Sequence, residues 1–239
     1  RHRVTASPRH RVTASPRQRV SASARQRVSA SPRHRVTESP SHHMTDLDAY
    51  YKKRIPYTLR GQQFAFDVGH TIFSSFEVDD GTDLLLRSLE PAESPARILD
   101  LGCGCGVIGI TLARRYPAAA VVMADKDLLA VRYARHNAAI NGVQNVSALG
   151  SVGLESVPPG PYDLILSNIP AKIGDLAIEQ EFILGPLAQL RVGGEYWFVV
   201  VSGLNHLIPR LGVRNQLKLK EIKKRSGYAV YRLLKPLES

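Results

Sequence analysis

The chain has 239 residues, of which 44% are hydrophobic and 22% charged, with a formal net charge of +11, a length that suits one domain with appendages. Nine of those eleven charges fall in the first 40 residues, which hold ten Arg against one Glu, so a case for nucleic-acid attraction from bulk charge would rest on the leading segment. Cys103 and Cys105 are the two cysteines; they exclude a disulfide framework and, with no Cys or His nearby to complete four ligands, a metal site, and the longest apolar run, near Tyr196–Val201, is too short to span a membrane.

Residues 1–40 are five octads, RHRVTASP, RHRVTASP, RQRVSASA, RQRVSASP and RHRVTESP. Each offers a single Val as a sizeable apolar group, too little burial to offset chain entropy, so residues 1–43 are expected to form a disordered tail. The tail could be an Arg-rich arm that grips RNA phosphates. Near-perfect tandem copies fit better with sequence upstream of a start at Met44. The Arg-rich segment has no apolar h-region, so no secretory signal is read and the expected location is cytoplasmic, with the two cysteines as buried thiols.

From Thr45 the composition becomes globular. Within Tyr57–Val78 the segments YTLRG, QQFAFDV and TIFSSFEV, punctuated by Gly61 and Gly69, predict short strands or hairpins. Asp80-Gly81-Thr82 opens a helix through Asp83–Leu89. These elements form an N-terminal extension over residues 44–95, ahead of a core over 96–239. The core begins with a strand at 96–101, a helix over Val107–Tyr116, a strand at 120–125 and a helix over Leu128–Ile140. Strands follow at 145–149 and 162–168, separated by the loop PPGP. A helix over Leu176–Leu190, ended by Gly193-Gly194, precedes a strand at 195–201 and a short helix to about Leu211. Two last strands, near 214–222 and 228–234, flank Ser226-Gly227. Strands alternating with helices imply a parallel, doubly wound sheet. The closing pair must be antiparallel, because a tight turn cannot join parallel neighbours.

The first core strand ends in DLGCGCGVIG (100–109). Glycines at 102, 104 and 106 let the backbone turn tightly and approach a ligand, and the helix that follows turns its free N–H groups toward a bound carboxylate or phosphate. Asp125 closes the next strand, where a carboxylate can accept both hydroxyls of a ribose. The segment GCGVIG also spells a dinucleotide fingerprint. Asp100 decides against that reading, since it disfavours a pyrophosphate and favours the ammonium and sulfonium of S-adenosylmethionine.

The strand at 162–168 ends in SNIPAKIG (167–174). Asn168 then lies at the carboxyl edge of a parallel sheet, where ligands bind. Its amide oxygen and the carbonyl of Ile169, in a turn fixed by Pro170, would offer two acceptors to one exocyclic amine. An Asx turn that merely ends a strand is the structural alternative.

DLGCGCGVIG, MADKD, SNIPAKIG, the upstream FSSFEVDDGTDLLL and the terminal GYAVYRLLK together resemble the methyltransferase small group of class I methyltransferases, over about residues 50–236. The resemblance implies an α/β, Rossmann-like fold: a mostly parallel seven-stranded sheet with an antiparallel last strand and helices on both faces. It implies S-adenosylmethionine as cofactor. Known members include rRNA guanine-N2 methyltransferases, so the implied substrate is an exocyclic amine of RNA, guanine N2 in rRNA, with no membrane partner; monomer and dimer both stay open. The family's Asn-Pro-Pro-aromatic signature falls on Asn168, Ile169, Pro170 and Ala171. Ala171 removes a stacking platform worth roughly 1–3 kcal/mol in nucleic-acid proteins. By the same resemblance Ser151 lies beside the adenine and Thr82 near the methionine end. Lys126 joins the cofactor set, and Lys172 and Phe73 the substrate set. A methyltransferase of protein glutamine or a small molecule, and a non-catalytic cofactor-binding protein, are the competing readings. The segment LKLKEIKKR (217–225) bears on the choice: Lys218, Lys220, Lys223, Lys224 and Arg225 could track phosphates or simply charge an edge strand against aggregation.

Overall fold

The computed structural model describes residues 48–70 and 77–236; the octad tail and Phe73 lie outside them. The hairpin β1 (Tyr51–Leu59) and β2 (Gln62–Gly69) comes first, then α1 (Asp80–Ser88), β3 (Arg97–Leu101), α2 (Val107–Arg115), β4 (Ala120–Asp125), α3 (Leu128–Ile140) and β5 (Val146–Gly150). After β6 (Tyr162–Asn168) the chain forms α4 (Asp175–Ala177), a π-helical stretch (Ile178–Leu184) and α5 (Gly185–Gln189). It closes with β7 (Leu190–Val201), α6 (Leu207–Arg214), β8 (Lys218–Arg225) and β9 (Tyr228–Leu234).

The main sheet has seven strands in the order β5-β4-β3-β6-β7-β9-β8. The five strands from β5 to β7 are parallel, and β9 runs antiparallel to both β7 and β8. Alternation along β3 sends Ile98 to one face and Leu99 to the other, as the two-residue period of a strand requires. Helices α1, α2 and α3 cover the first face; α6 and the π-helical stretch cover the second. This is the Rossmann-like arrangement expected from the alternation of elements. Helix α1 buries Leu84, Leu85 and Leu86, each worth about 1.5–3 kcal/mol of transfer from water. Asp79 caps it, its side chain accepting from Thr82 N.

Several boundaries differ from those predicted, among them α6, which runs on to Arg214, and β8, which starts only at Lys218. Strand β1 already begins at Tyr51, because Ile55, Tyr57 and Leu59 are buried in alternation; the charged run Lys52–Arg54 and Pro56 disguise that period. The expected helix over Leu176–Leu190 relaxes into a π-helical stretch in its middle and stops at Gln189. Gly193 and Gly194 do not end it. They lie inside β7, where a register shift occurs against β6. At Gly194 a side chain would come within 3.1 Å of Tyr162 O and 3.2 Å of Asp163 O, so only glycine lets the two backbones run this close.

The hairpin is fastened to α3 by two asparagines one helical turn apart. Asn137 Oδ1 accepts from Asp67 N (2.8 Å) and its Nδ2 donates to Asp67 O (3.0 Å). Asn141 does the same for Ala65, accepting at 3.1 Å and donating at 2.6 Å. Two side-chain amides thereby satisfy the free edge of β2 as a third strand would. Asn137 Nδ2 also reaches Cys105 O at 2.9 Å, so the same residue grips the glycine loop. Beneath the hairpin, Ile55 and Val68 pack with Cys105, Ala130 and Tyr133.

Candidate functional site

Strand order reverses between β3 and β6, and ligand clefts form at such a switch point, outside the carboxyl ends of the strands. A cleft opens there, lined by Gly102, Cys103, Gly104 and Cys105 from the loop after β3. Asn168 closes β6 beside it, Asp79 and Thr82 come from the start of α1, and Ile55 and Phe66 from the hairpin.

The loop is held by backbone bonds. Gly102 N and Cys103 N both donate to Ala124 O, at 2.8 and 3.0 Å, and Gly104 N donates to Asp125 Oδ2 at 2.8 Å. Gly104 adopts φ +54° with nothing within 4 Å of where a side chain would begin: its bare face is turned to the cleft. Gly106, at φ +91°, is pressed against α3, and a Cβ would sit 3.2 Å from Ala134 Cβ. One glycine therefore admits a ligand and the other closes the helix–helix contact. Both cysteines are buried free thiols. Burial pushes the Cys105 thiol up to about 12 and raises Cys103 as well, so neither is poised as a nucleophile.

Asp100 does not line the cleft. It is fully buried in β3, where Oδ2 accepts from Gly109 N at 2.8 Å and Oδ1 has no hydrogen-bond partner among the described residues. Burial pushes its carboxyl up to about 7, with the Gly109 N–H opposing and Asp125 adding to the rise. Asp125 lies at the end of β4 and accepts from Gly104 N and Asp127 N, one through each oxygen, leaving each oxygen a further lone pair. Leu128 (67% exposed) and Val152 (55%) are large apolar side chains at the same sheet edge. Ser151 is anchored beside Asp125, its N donating to Asp125 O at 2.9 Å. Its hydroxyl is engaged locally, donating to Gly153 O (3.0 Å) and accepting from Ser156 N (3.0 Å). Lys126 is exposed next to Asp125.

On the other side of the cleft Asn168 is oriented by its neighbours. Its Nδ2 donates to Asp79 Oδ2 at 2.7 Å and to Thr82 Oγ1 at 3.0 Å. Both amide hydrogens are thereby used, and Oδ1, an acceptor only, is left without a partner among the described residues. Asp79 Oδ1 in turn accepts from Tyr228 OH at 3.1 Å. Ile169 is buried, with its N bound to Val199 O at 3.0 Å, whereas Pro170, Ala171 and Lys172 are exposed in the turn that follows. Among the predicted site residues, Thr82, Gly102, Gly104 and Asn168 line one cleft. Asp125 and Asp100 hold the loop and the helix after it through Gly104 N and Gly109 N, Gly106 packs against α3, and Ser151, Lys126 and Lys172 are not among the residues that line the cleft.

Asp79, Tyr228 and Asn137 escaped sequence reasoning. An Asp three residues before a Thr at a helix start is a cap signal, so Asp79 had a local clue. Tyr228 and Asn137 act across 149 and 70 residues of chain and had none.

The arrangement can be set beside known proteins. The rRNA small subunit methyltransferase C of Hahella chejuensis is 42% identical over 131 residues, covering 54% of this chain and 37% of that protein. YbxB, an uncharacterized Bacillus subtilis protein, is 33% identical over 150 residues, 62% of this chain and 74% of its own length. The solved structure of the Thermus thermophilus 16S rRNA N2-guanine methyltransferase RsmC, in complex with AdoMet and guanosine, aligns with a TM-score of 0.65 at 26% identity, covering 78% of this chain and 51% of that one. This chain thus spans about half or less of the length of these rRNA methyltransferases. The model of the methyltransferase small domain matches residues 63–232, from the hairpin to the last strand. The chain belongs to the methyltransferase small domain family.

Proposed function

We propose that the protein is an S-adenosylmethionine-dependent methyltransferase acting on an exocyclic amine of RNA, guanine N2 in rRNA. The observation that carries the reading is the fixed amide of Asn168: with Nδ2 held by Asp79 and Thr82, Oδ1 presents an acceptor at the cleft. An acceptor so placed suits a donor amine and not a carbonyl. Support comes from the likeness to an enzyme solved with AdoMet and guanosine and to the Hahella rRNA methyltransferase.

The residues present fit the cofactor. Gly104 offers a bare backbone face, and Asp125 retains lone pairs for ribose hydroxyls. Leu128 and Val152 offer apolar cover for a planar ring. When bound, S-adenosylmethionine supplies a methyl group on a sulfonium centre. The chain supplies position. Gly102 and Gly104 shape the floor, Asn168 Oδ1 and the Ile169 carbonyl accept from the amine, and Thr82 holds the Asn168 amide in place. A proton released by the amine would pass to solvent, to which the neighbouring Pro170, Ala171 and Lys172 are exposed. Lys126 and Lys172, both exposed, are assigned to cofactor and substrate respectively. No helix among the described residues is long and apolar enough to cross a membrane, and the proposed place of action is the cytoplasm.

The test is transfer of labelled methyl from S-adenosylmethionine into separated RNA, protein and small-molecule fractions. Label in RNA that digests to N2-methylguanosine is the expected result. Label confined to protein or small molecules overturns the substrate; no label in any fraction, with cofactor bound, overturns the activity.

A further inference from the structure

Strand β8 is one of the two edge strands of the main sheet. In its register with β9, Lys218, Lys220, Lys223 and Arg225 stand opposite Leu234, Arg232, Val230 and Tyr228. Residues directly opposite on paired strands point to the same face, and Val230 and Tyr228 belong to the core on the α1 side. The four cations therefore share one face. A bulge makes this so. The register shifts between Glu221 and Lys223, so Lys223 and Arg225 stand on that side together with Ile222, which packs against the same core cluster; without the extra residue, strand alternation would send Lys223 and Arg225 to the other face. Lys224, opposite Ala229, faces the other way, as does Glu221, which accepts from Tyr231 OH at 3.1 Å. All four cations are exposed and none has a carboxylate partner among the described residues.

The row extends over roughly 20 Å at the usual strand rise, and one end of it meets the site. Arg225 is paired with Tyr228, whose hydroxyl donates to the Asp79 carboxylate that holds Asn168. Edge charges and bulges both protect a free edge; what this row adds is its alignment on one face and an end that meets the Asp79–Asn168 pair.

We infer that the α1-side face of β8 binds the backbone phosphates of the RNA strand that flanks the nucleotide at Asn168. This rests on the RNA reading proposed above. Contacts of this kind fix register and orientation without reading sequence, and each releases counterions, which makes binding depend on salt.

The test compares the full chain with the variant K218Q/K220Q/K223Q/R225Q, in which glutamine keeps the edge polar. Binding of a labelled single-stranded, guanosine-containing RNA oligonucleotide is measured across salt concentrations. The slope of log affinity against log salt should fall by about 3, from roughly 0.7 per phosphate contact on a single strand; the leading arginines contribute equally in both proteins and cancel. Melting temperature and S-adenosylmethionine affinity should not move, and KM for RNA should rise with kcat held. The pair K223Q and K224Q removes one charge each from adjacent residues on opposite faces, and only K223Q should weaken binding. Equal slopes, or equal losses from K223Q and K224Q, overturn the assignment of this face. If the unaltered chain methylates RNA while the slope is unchanged, β8 alone is misassigned. If it neither binds nor methylates RNA, the RNA reading and the inference fall together.

Discussion

The two sides of the cleft are built differently. On the β3–β4 side, a contiguous stretch from Asp100 to Gly109 and one carboxylate at Asp125 make the floor, and every bond has a backbone group at one end at least. On the β6 side, Asn168, Thr82, Asp79 and Tyr228 come from three separated segments, and every bond is between side chains save the cap of α1. A backbone floor fixes where a ligand lies. A side-chain relay fixes which way one acceptor points. The first suits the part of a reaction common to many enzymes, and the second the choice of the group attacked.

If that division is right, substitutions on one side should spare the other. The largest effect is expected at Asn168. Asn168→Ala should lower methyl transfer roughly 10²-fold or more, the scale of a lost positioning contact to the reacting group, with S-adenosylmethionine affinity within a few-fold by calorimetry. Joint loss of cofactor affinity and melting temperature would make the residue a structural turn and dissolve the comparison. Asp125→Ala tests the opposite side. It should cost about 1–3 kcal/mol of cofactor binding, read by the same calorimetry. Unchanged affinity in a folded variant would sink the ribose assignment.

Asp79→Ala sharpens the contrast, since the Asp79 carboxylate holds the Asn168 amide. We expect about a tenfold loss of turnover, cofactor affinity unchanged, and about 1 kcal/mol of stability lost with the helix cap. Asp79→Asn keeps an acceptor toward Asn168 and should restore most of the turnover. Equal turnover loss in both variants would leave the relay unsupported. The least effect on turnover is expected from Asp100→Asn, whose signature is in stability against pH. The folded carboxyl is pushed up to about 7 from an ordinary value of 3.8. Between those values the folded chain keeps a proton that the unfolded chain has released, so stability falls as pH rises through the window and then levels. The variant does not titrate and should gain stability relative to the parent over that window. Parallel melting curves for the two across pH would refute the buried, raised carboxyl.

The same asymmetry decided what the sequence made legible. The doubly wound core, its antiparallel close and the glycine loop follow from local signals: periodicity, Pro117, and glycines placed between a strand and a helix. Asn168 was visible as a polar residue ending a buried strand. What holds its amide was not, because nothing local links Asn168 to a residue 89 positions upstream. Gly193-Gly194 misled for a related reason. A glycine pair signals a helix end as readily as a strand bulge, and only the nearby Tyr162 carbonyl tells the two apart. Asp100 was legible in kind and misplaced in detail, since sequence marks a carboxylate at a strand end without telling whether it faces the cleft or the core.

The asparagine pair on α3 sets a timescale as well as a position. The amide protons of Ala65 and Asp67 can exchange with solvent only when the hairpin lifts from Asn137 and Asn141, an opening with its own free energy. That same lift uncovers Cys105 of the glycine loop, against which Ile55 and Val68 pack. Exchange rates at two hairpin amides therefore report how often the glycine loop loses its roof, and any ligand that braces the loop from the cleft should slow both clocks together.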